Sequence, residues 1–86
     1  MMLEELRKEI DEYDTDLIHA LSKRMKTVEK VSEYKKKHNL EVGDEQREEK
    51  ILESRKKLAE ELGVSKELVE ELFLKIMEYS RKAQKK

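Results

Sequence analysis

The chain has 86 residues, of which 48% are charged and 36% hydrophobic, with two Gly, no Pro, no Cys and a formal net charge of −1. That length allows one domain, the near-neutral charge gives no basic field for nucleic acid, no apolar run is long enough to span a membrane, and the lack of Cys excludes disulfides. Glu and Lys, both good helix formers, dominate the chain, and its apolar residues are periodic rather than scattered, which argues for an all-α domain over residues 1–86 and against a sheet or a disordered chain. The N-terminus lacks the apolar core of a signal peptide, so a cytoplasmic location is expected.

The first element predicted is a long helix from about Leu3 to His38. Leu3, Leu6, Ile10, Tyr13, Leu17, Ala20/Leu21, Val28 and Val31 alternate in steps of three and four, as a buried helical stripe requires, and nothing inside the segment breaks a helix. At 1.5 Å per residue it spans roughly 54 Å. A second helix should start at Asp44, a good N-cap residue, bury Ile51, Leu58 and Leu62, and end at Gly63, suited to the position just past a helix. A third should start at Ser65 as N-cap, with Val64 and Val69 at hydrophobic-staple spacing, and continue through Leu68, Leu72, Phe73, Ile76 and Met77.

The two shorter helices, each roughly 27–30 Å long, cover about half of the first when folded back as a hairpin. The remaining stripe would face water. The expected architecture is therefore one long and two short helices in an intertwined homodimer, with the long helices of both chains in one core.

Several polar residues sit where apolar ones belong. A heptad count from Leu3 puts Arg24 on the buried seam, and Lys35, eleven residues on, returns to nearly the same azimuth about 16 Å along the axis. In the second helix, Arg47 lies one turn before Ile51 on the buried face, with Glu48 beside it. In the third, Ser80 and Gln84 extend the Phe73/Ile76/Met77 face. The chain has five Arg against fifteen Lys, so Arg7, Arg24 and Arg47 point to a need for the planar guanidinium fork that grips carboxylates. Arg7 is about 25 Å from Arg24 along the helix; it cannot join Arg24's site within one chain, but could join the partner's. Against this stands a plainer account, in which long cations bury their stems and let their heads reach water, or a seam Arg sets dimer register by pairing with a buried Glu. His19 and His38 read as surface residues, and with no second ligand at suitable spacing no metal is expected. The tyrosines read as packing residues.

Fixed cations with one carboxylate, one hydroxyl and one amide, but no nucleophile–base pair, metal set or Gly-rich phosphate loop, suit a compact dianion. They suit electrostatic stabilisation of a transition state better than covalent chemistry.

Over nearly its whole length the chain resembles the all-helical class of chorismate mutases. The resemblance rests on "LRKEIDEYD" (6–14), with Arg followed by Ile and a D-x-x-[LI]-[LI] run, on the Arg24–Lys35 spacing, on "DEQRE" (44–48) at the start of helix two, and on the Ser80/Gln84 pair in the last helix. It implies a Claisen rearrangement of chorismate to prephenate, without a cofactor. It also implies roles. Arg24, Arg47 and the other chain's Arg7 would grip the two carboxylates with help from Ser80; Lys35 and Gln84 would donate to the ether oxygen; Glu48 and the Asp44 backbone would hold the ring hydroxyl. Where some members carry a basic residue just before the Asp of helix two, this chain has Gly43. From the length of the chain, no fused dehydratase, dehydrogenase or feedback domain is expected. Two other functions stay open on the same residues: an isochorismate pyruvate lyase, which shares the fold and a similar cationic pocket, and a non-catalytic helical dimerisation module.

Overall fold

A computed structural model describes residues 2–84; positions 1, 85 and 86 of the expected domain lie outside the described residues. The described chain forms three helices, α1 (Met2–Lys37), α2 (Glu45–Leu62) and α3 (Lys66–Gln84), with no strand among the described residues.

The ends of the helices follow from their caps. Asp44 is extended (φ −158°), and its carboxylate accepts the Arg47 backbone N–H at 3.2 Å, satisfying one of the donors a helix start leaves unpaired. α2 stops where Gly63 turns left-handed (φ 71°), which lets the Gly63 and Val64 N–H groups donate back to Glu60 and Ala59 in a Schellman arrangement. Ser65 caps α3 by accepting the Leu68 N–H at 3.2 Å. The stop of α1 is Asn39, next to the end expected at about His38. Asn39 adopts φ 53°, and Leu40 donates to the Lys35 carbonyl at 2.8 Å; asparagine is the residue that best tolerates this conformation after glycine.

α3 packs against both other helices, while α1 and α2 make no close backbone approach to each other. A cleft is therefore left between α1 and α2, floored by α3. Along α3 the inward side chains are Phe73, Ile76, Met77, Ser80 and Gln84, the face expected from the sequence, with Met77 and Ser80 buried.

Two expected faces differ. On α1 the inward positions are Arg24, Met25, Val28, Ser32 and Lys35, whereas Thr27, Val31 and Tyr34, seam positions in the heptad count, are exposed. A straight helix drifts about 20° per heptad against a strict seven-residue repeat, so a count begun at Leu3 is well off azimuth four heptads later. On α2 the residues turned inward are Ile51, Leu52, Lys56 and Ala59; Leu58 and Leu62, expected to be buried, are 51% and 69% exposed. The small Ala59 side chain is what permits close packing against α3, and the two leucines, about 60–100° round the helix from it, flank that contact and stay exposed.

The single chain buries very little. Among the described residues, Ala59 and Met77 are the buried hydrophobic ones, and no large side chain is fully buried. Leu3, Leu6, Ile10, Tyr13, Leu17 and Ile18 on α1 are between 45% and 67% exposed. The molecule measures 57 × 23 × 16 Å with a radius of gyration of 16.1 Å, against about 12 Å for a compact domain of this length. The N-terminal half of α1 thus projects beyond the α2–α3 hairpin with its apolar stripe bare.

Candidate active site

The cleft between α1 and α2 has a volume of about 180 Å³. Seven of the eight residues singled out in the sequence line it: Arg24 and Lys35 from α1, Asp44, Arg47 and Glu48 from the start of α2, and Ser80 and Gln84 from α3. Larger hollows of about 500 and 570 Å³ lie on outer faces. They are bordered mainly by Lys and Glu side chains, with Ser54 beside the first and Leu74 and Arg81 beside the second.

Within the cleft Arg24 and Lys35 are held by neutral groups. The Arg24 guanidinium donates to the Ser80 hydroxyl at 2.7 Å, and that hydroxyl donates in turn to the Ile76 carbonyl at 2.8 Å. Ser80 is thereby fixed as an acceptor towards Arg24. The Lys35 ammonium donates to Gln84 Oε1 at 3.2 Å. An ammonium has only donors to offer, so it orients the amide: the Gln84 carbonyl faces Lys35 and the NH₂ group is left to donate elsewhere. Arg47 presents its side chain from the first turn of α2, with no hydrogen-bond or ion-pair partner for it among the described residues.

No carboxylate neutralises Arg24. Its pKa is pushed below the ordinary arginine value, first by burial and then by the nearby Arg55 guanidinium. It stays protonated at any working pH, so the cleft carries an uncompensated positive charge. A dianion entering it would meet charge already in place and partly desolvated, where electrostatic contacts are stronger than in water.

Two further side chains belong to this site and were not legible in the sequence. Ser32 is buried, and its hydroxyl donates to the Gln84 backbone carbonyl at 3.4 Å, tying the last turn of α3 to α1 one turn before Lys35. Arg81 lines the cleft and forms an ion pair with Glu48 at 2.7 Å across α3 and α2. The scarcity of arginine was a signal that could have flagged Arg81, but its place one residue after Ser80 concealed which neighbour it would meet.

Arg7 is the expected residue that this cleft does not contain. It lies on the exposed N-terminal half of α1, some 25 Å along the helix from Arg24. Among the described residues no group of three or more His, Cys, Asp or Glu is placed to hold a metal ion, and no helix is long and apolar enough to cross a membrane.

Comparison with known proteins bears on what such a cleft is for. Residues 6–85 match the family model described as chorismate mutase type II. A T-protein of Haemophilus influenzae is 36% identical over 78 residues, covering 91% of this chain and 21% of that protein. A chorismate mutase of Methanocaldococcus jannaschii is 29% identical over 83 residues, covering 96% of this chain and 84% of that protein. A bifunctional chorismate mutase/prephenate dehydratase of Aquifex aeolicus is 38% identical over 60 residues, covering 70% of this chain and 17% of that protein. The chain thus spans about a fifth of the length of the T-protein and most of the archaeal mutase. No solved structure gives a significant match.

Proposed function

The chain belongs to the type II chorismate mutase family, and on that premise we propose that its cleft converts chorismate to prephenate. The reaction is a unimolecular rearrangement in which the ether C–O bond breaks as a C–C bond forms, with no atom lost or gained. No nucleophile is needed. The protein has to hold the two carboxylates so that the reacting ends approach, and has to stabilise the negative charge that grows on the ether oxygen.

The observation that carries this reading is the pairing of two cations with neutral partners on one wall of the cleft, Arg24 with Ser80 and Lys35 with Gln84. Arg24, Arg47 and Ser80 suit the carboxylates. The Lys35 ammonium, 3.2 Å from Gln84 Oε1, and the free NH₂ on the same amide suit an ether oxygen that can accept from both. Glu48 and the Asp44 backbone suit the ring hydroxyl.

A second chain completes the proposal. The bare apolar stripe of α1 and the elongated shape of the protomer favour an intertwined homodimer whose partner supplies Arg7 to each cleft, capping the carboxylate side. The test is the loss of chorismate absorbance on adding purified protein, with the product identified by proton NMR. Prephenate is expected. Release of pyruvate from isochorismate, with chorismate untouched, would replace the mutase reading with a lyase, and no turnover of either would leave a dimerisation module.

A further inference from the structure

We propose that Arg81 is a positioning residue that aims Glu48 at the substrate's ring hydroxyl. This rests on the mutase reading of the cleft, which gives Glu48 that hydroxyl as its partner. Among the cations that line the cleft, Arg24 and Lys35 hold neutral groups and Arg47 holds none with its side chain, whereas Arg81 holds a carboxylate. Its charge is therefore spent locally. It adds little to the field that attracts a dianion, and acts on Glu48 instead.

The geometry gives it the means. Arg81 Nη1 is 2.7 Å from Glu48 Oε1, and both side chains are partly withdrawn from water, at 40% and 28% exposure. The two residues come from different helices, Glu48 from the first turn of α2 and Arg81 from the last turn of α3. A Glu side chain has three rotatable bonds, and in a cleft between helices nothing else among the described residues holds its carboxylate. With Oε1 engaged by the guanidinium, Oε2 is the oxygen left to accept a hydrogen bond from a hydroxyl in the cleft. Arg81 also borders Gly43 and Asp44 together with Glu48 at the outer edge, so the same contact ties the α2 entrance loop to α3.

The test is a double-substitution cycle read as kcat/KM with chorismate, using Arg81→Met, Glu48→Gln and the pair together, with Arg81→Lys as the conservative variant. Arg81→Met keeps the aliphatic stem and removes the donor. It should lower kcat/KM by about tenfold, in the middle of the range for directly coupled residues, and Arg81→Lys should recover part of the loss. In the Glu48→Gln background Arg81→Met should change kcat/KM by less than about twofold, because the carboxylate it orients is gone. Equal losses in both backgrounds would overturn the proposal in favour of a direct or structural role, and no loss in either would make the ion pair an idle surface contact. A crystal structure of Arg81→Met gives a readout that does not depend on turnover. The Glu48 carboxylate should leave its present rotamer, and finding it unmoved overturns the proposal even if the wild-type protein proves inactive with chorismate, which would instead refute the parent reading.

Discussion

Replacing Gln84 by Glu tests the assignment of the ether-oxygen contact. The amide NH₂ can donate at any ordinary pH, whereas a carboxyl donates only when protonated. The introduced carboxyl would occupy the place of Gln84 Oε1, 3.2 Å from the Lys35 ammonium. Two unit charges at that separation attract by about 1 kcal/mol in water-like surroundings, and by several times that at lower effective dielectric. This favours the ionised form and lowers the pKa from the ordinary Glu value of about 4.3. Partial burial of both side chains opposes it. With the two effects opposed, the group should titrate well below neutrality, as an ordinary carboxyl does. The active form is the protonated one, so activity is fully present below that pKa and is lost as pH rises through it. At pH 7 fewer than about one molecule in a hundred would carry the proton, and in the rest an anion would face the oxygen on which charge develops while neutralising Lys35. The Gln84→Glu protein should therefore lose at least about 100-fold in kcat/KM between mild acid and neutrality, with the native protein nearly flat over the same range. The assay is a kcat/KM profile for both proteins from about pH 4.5 to 8, with helix content checked by circular dichroism at each point. Parallel profiles would remove Gln84 from the ether-oxygen contact.

Two other substitutions probe the same cleft. Lys35→Ala removes a donor aimed at developing charge and should lower kcat by about 10²–10³ while the helical signal and the oligomeric state stay unchanged; near-native turnover would return Lys35 to the solvated surface. Arg7→Ala and Arg24→Ala should each be almost inactive alone, yet regain activity when mixed under conditions that exchange subunits, because a mixed dimer holds one cleft free of both changes. Verified exchange without recovered activity would rule out a shared site.

What the sequence made legible were the features with local causes. Asp44, Gly63 and Ser65 mark helix ends because each satisfies backbone groups within four residues of itself, and such contacts need no tertiary information. The α3 face from Phe73 to Gln84 was legible because 19 residues are too few for azimuthal drift to matter. The inward face of α1 was legible only in part. Over 36 residues the difference between a period of 3.5 and one of 3.6 accumulates, which turned Tyr34 outward and Ser32 inward, while Lys35 kept the face that its eleven-residue spacing from Arg24 gave it. The Arg81–Glu48 ion pair and the Ser32–Gln84 contact join residues 33 and 52 positions apart. Their partners are set by how α3 lies across the other two helices, which no local pattern encodes.

Arg24 shows how the cleft trades stability for charge, and a substitution can measure the trade. Its guanidinium is pushed towards deprotonation by burial and by Arg55, so the folded state binds that proton less tightly than the unfolded chain does. The penalty is fully present at all pH values below the depressed pKa, and is relieved only as pH rises through the folded and then the unfolded value, far above any working range. Varying pH will not expose it; removing the charge will. Arg24→Met keeps a long unbranched side chain beside Met25 and Val28, and strands no partner, since the Ser80 hydroxyl keeps its bond to the Ile76 carbonyl. The expected result is a protein more stable by about 1 kcal/mol, within the range for relieving a strained functional site. That corresponds to a Tm higher by about 2–4 °C for a cooperative unit of two chains, with turnover of chorismate abolished. A Tm lowered by a similar amount would mean that Arg24 is a structural tie between α1 and α3, with its 2.7 Å bond to Ser80 contributing to the fold rather than waiting for a carboxylate.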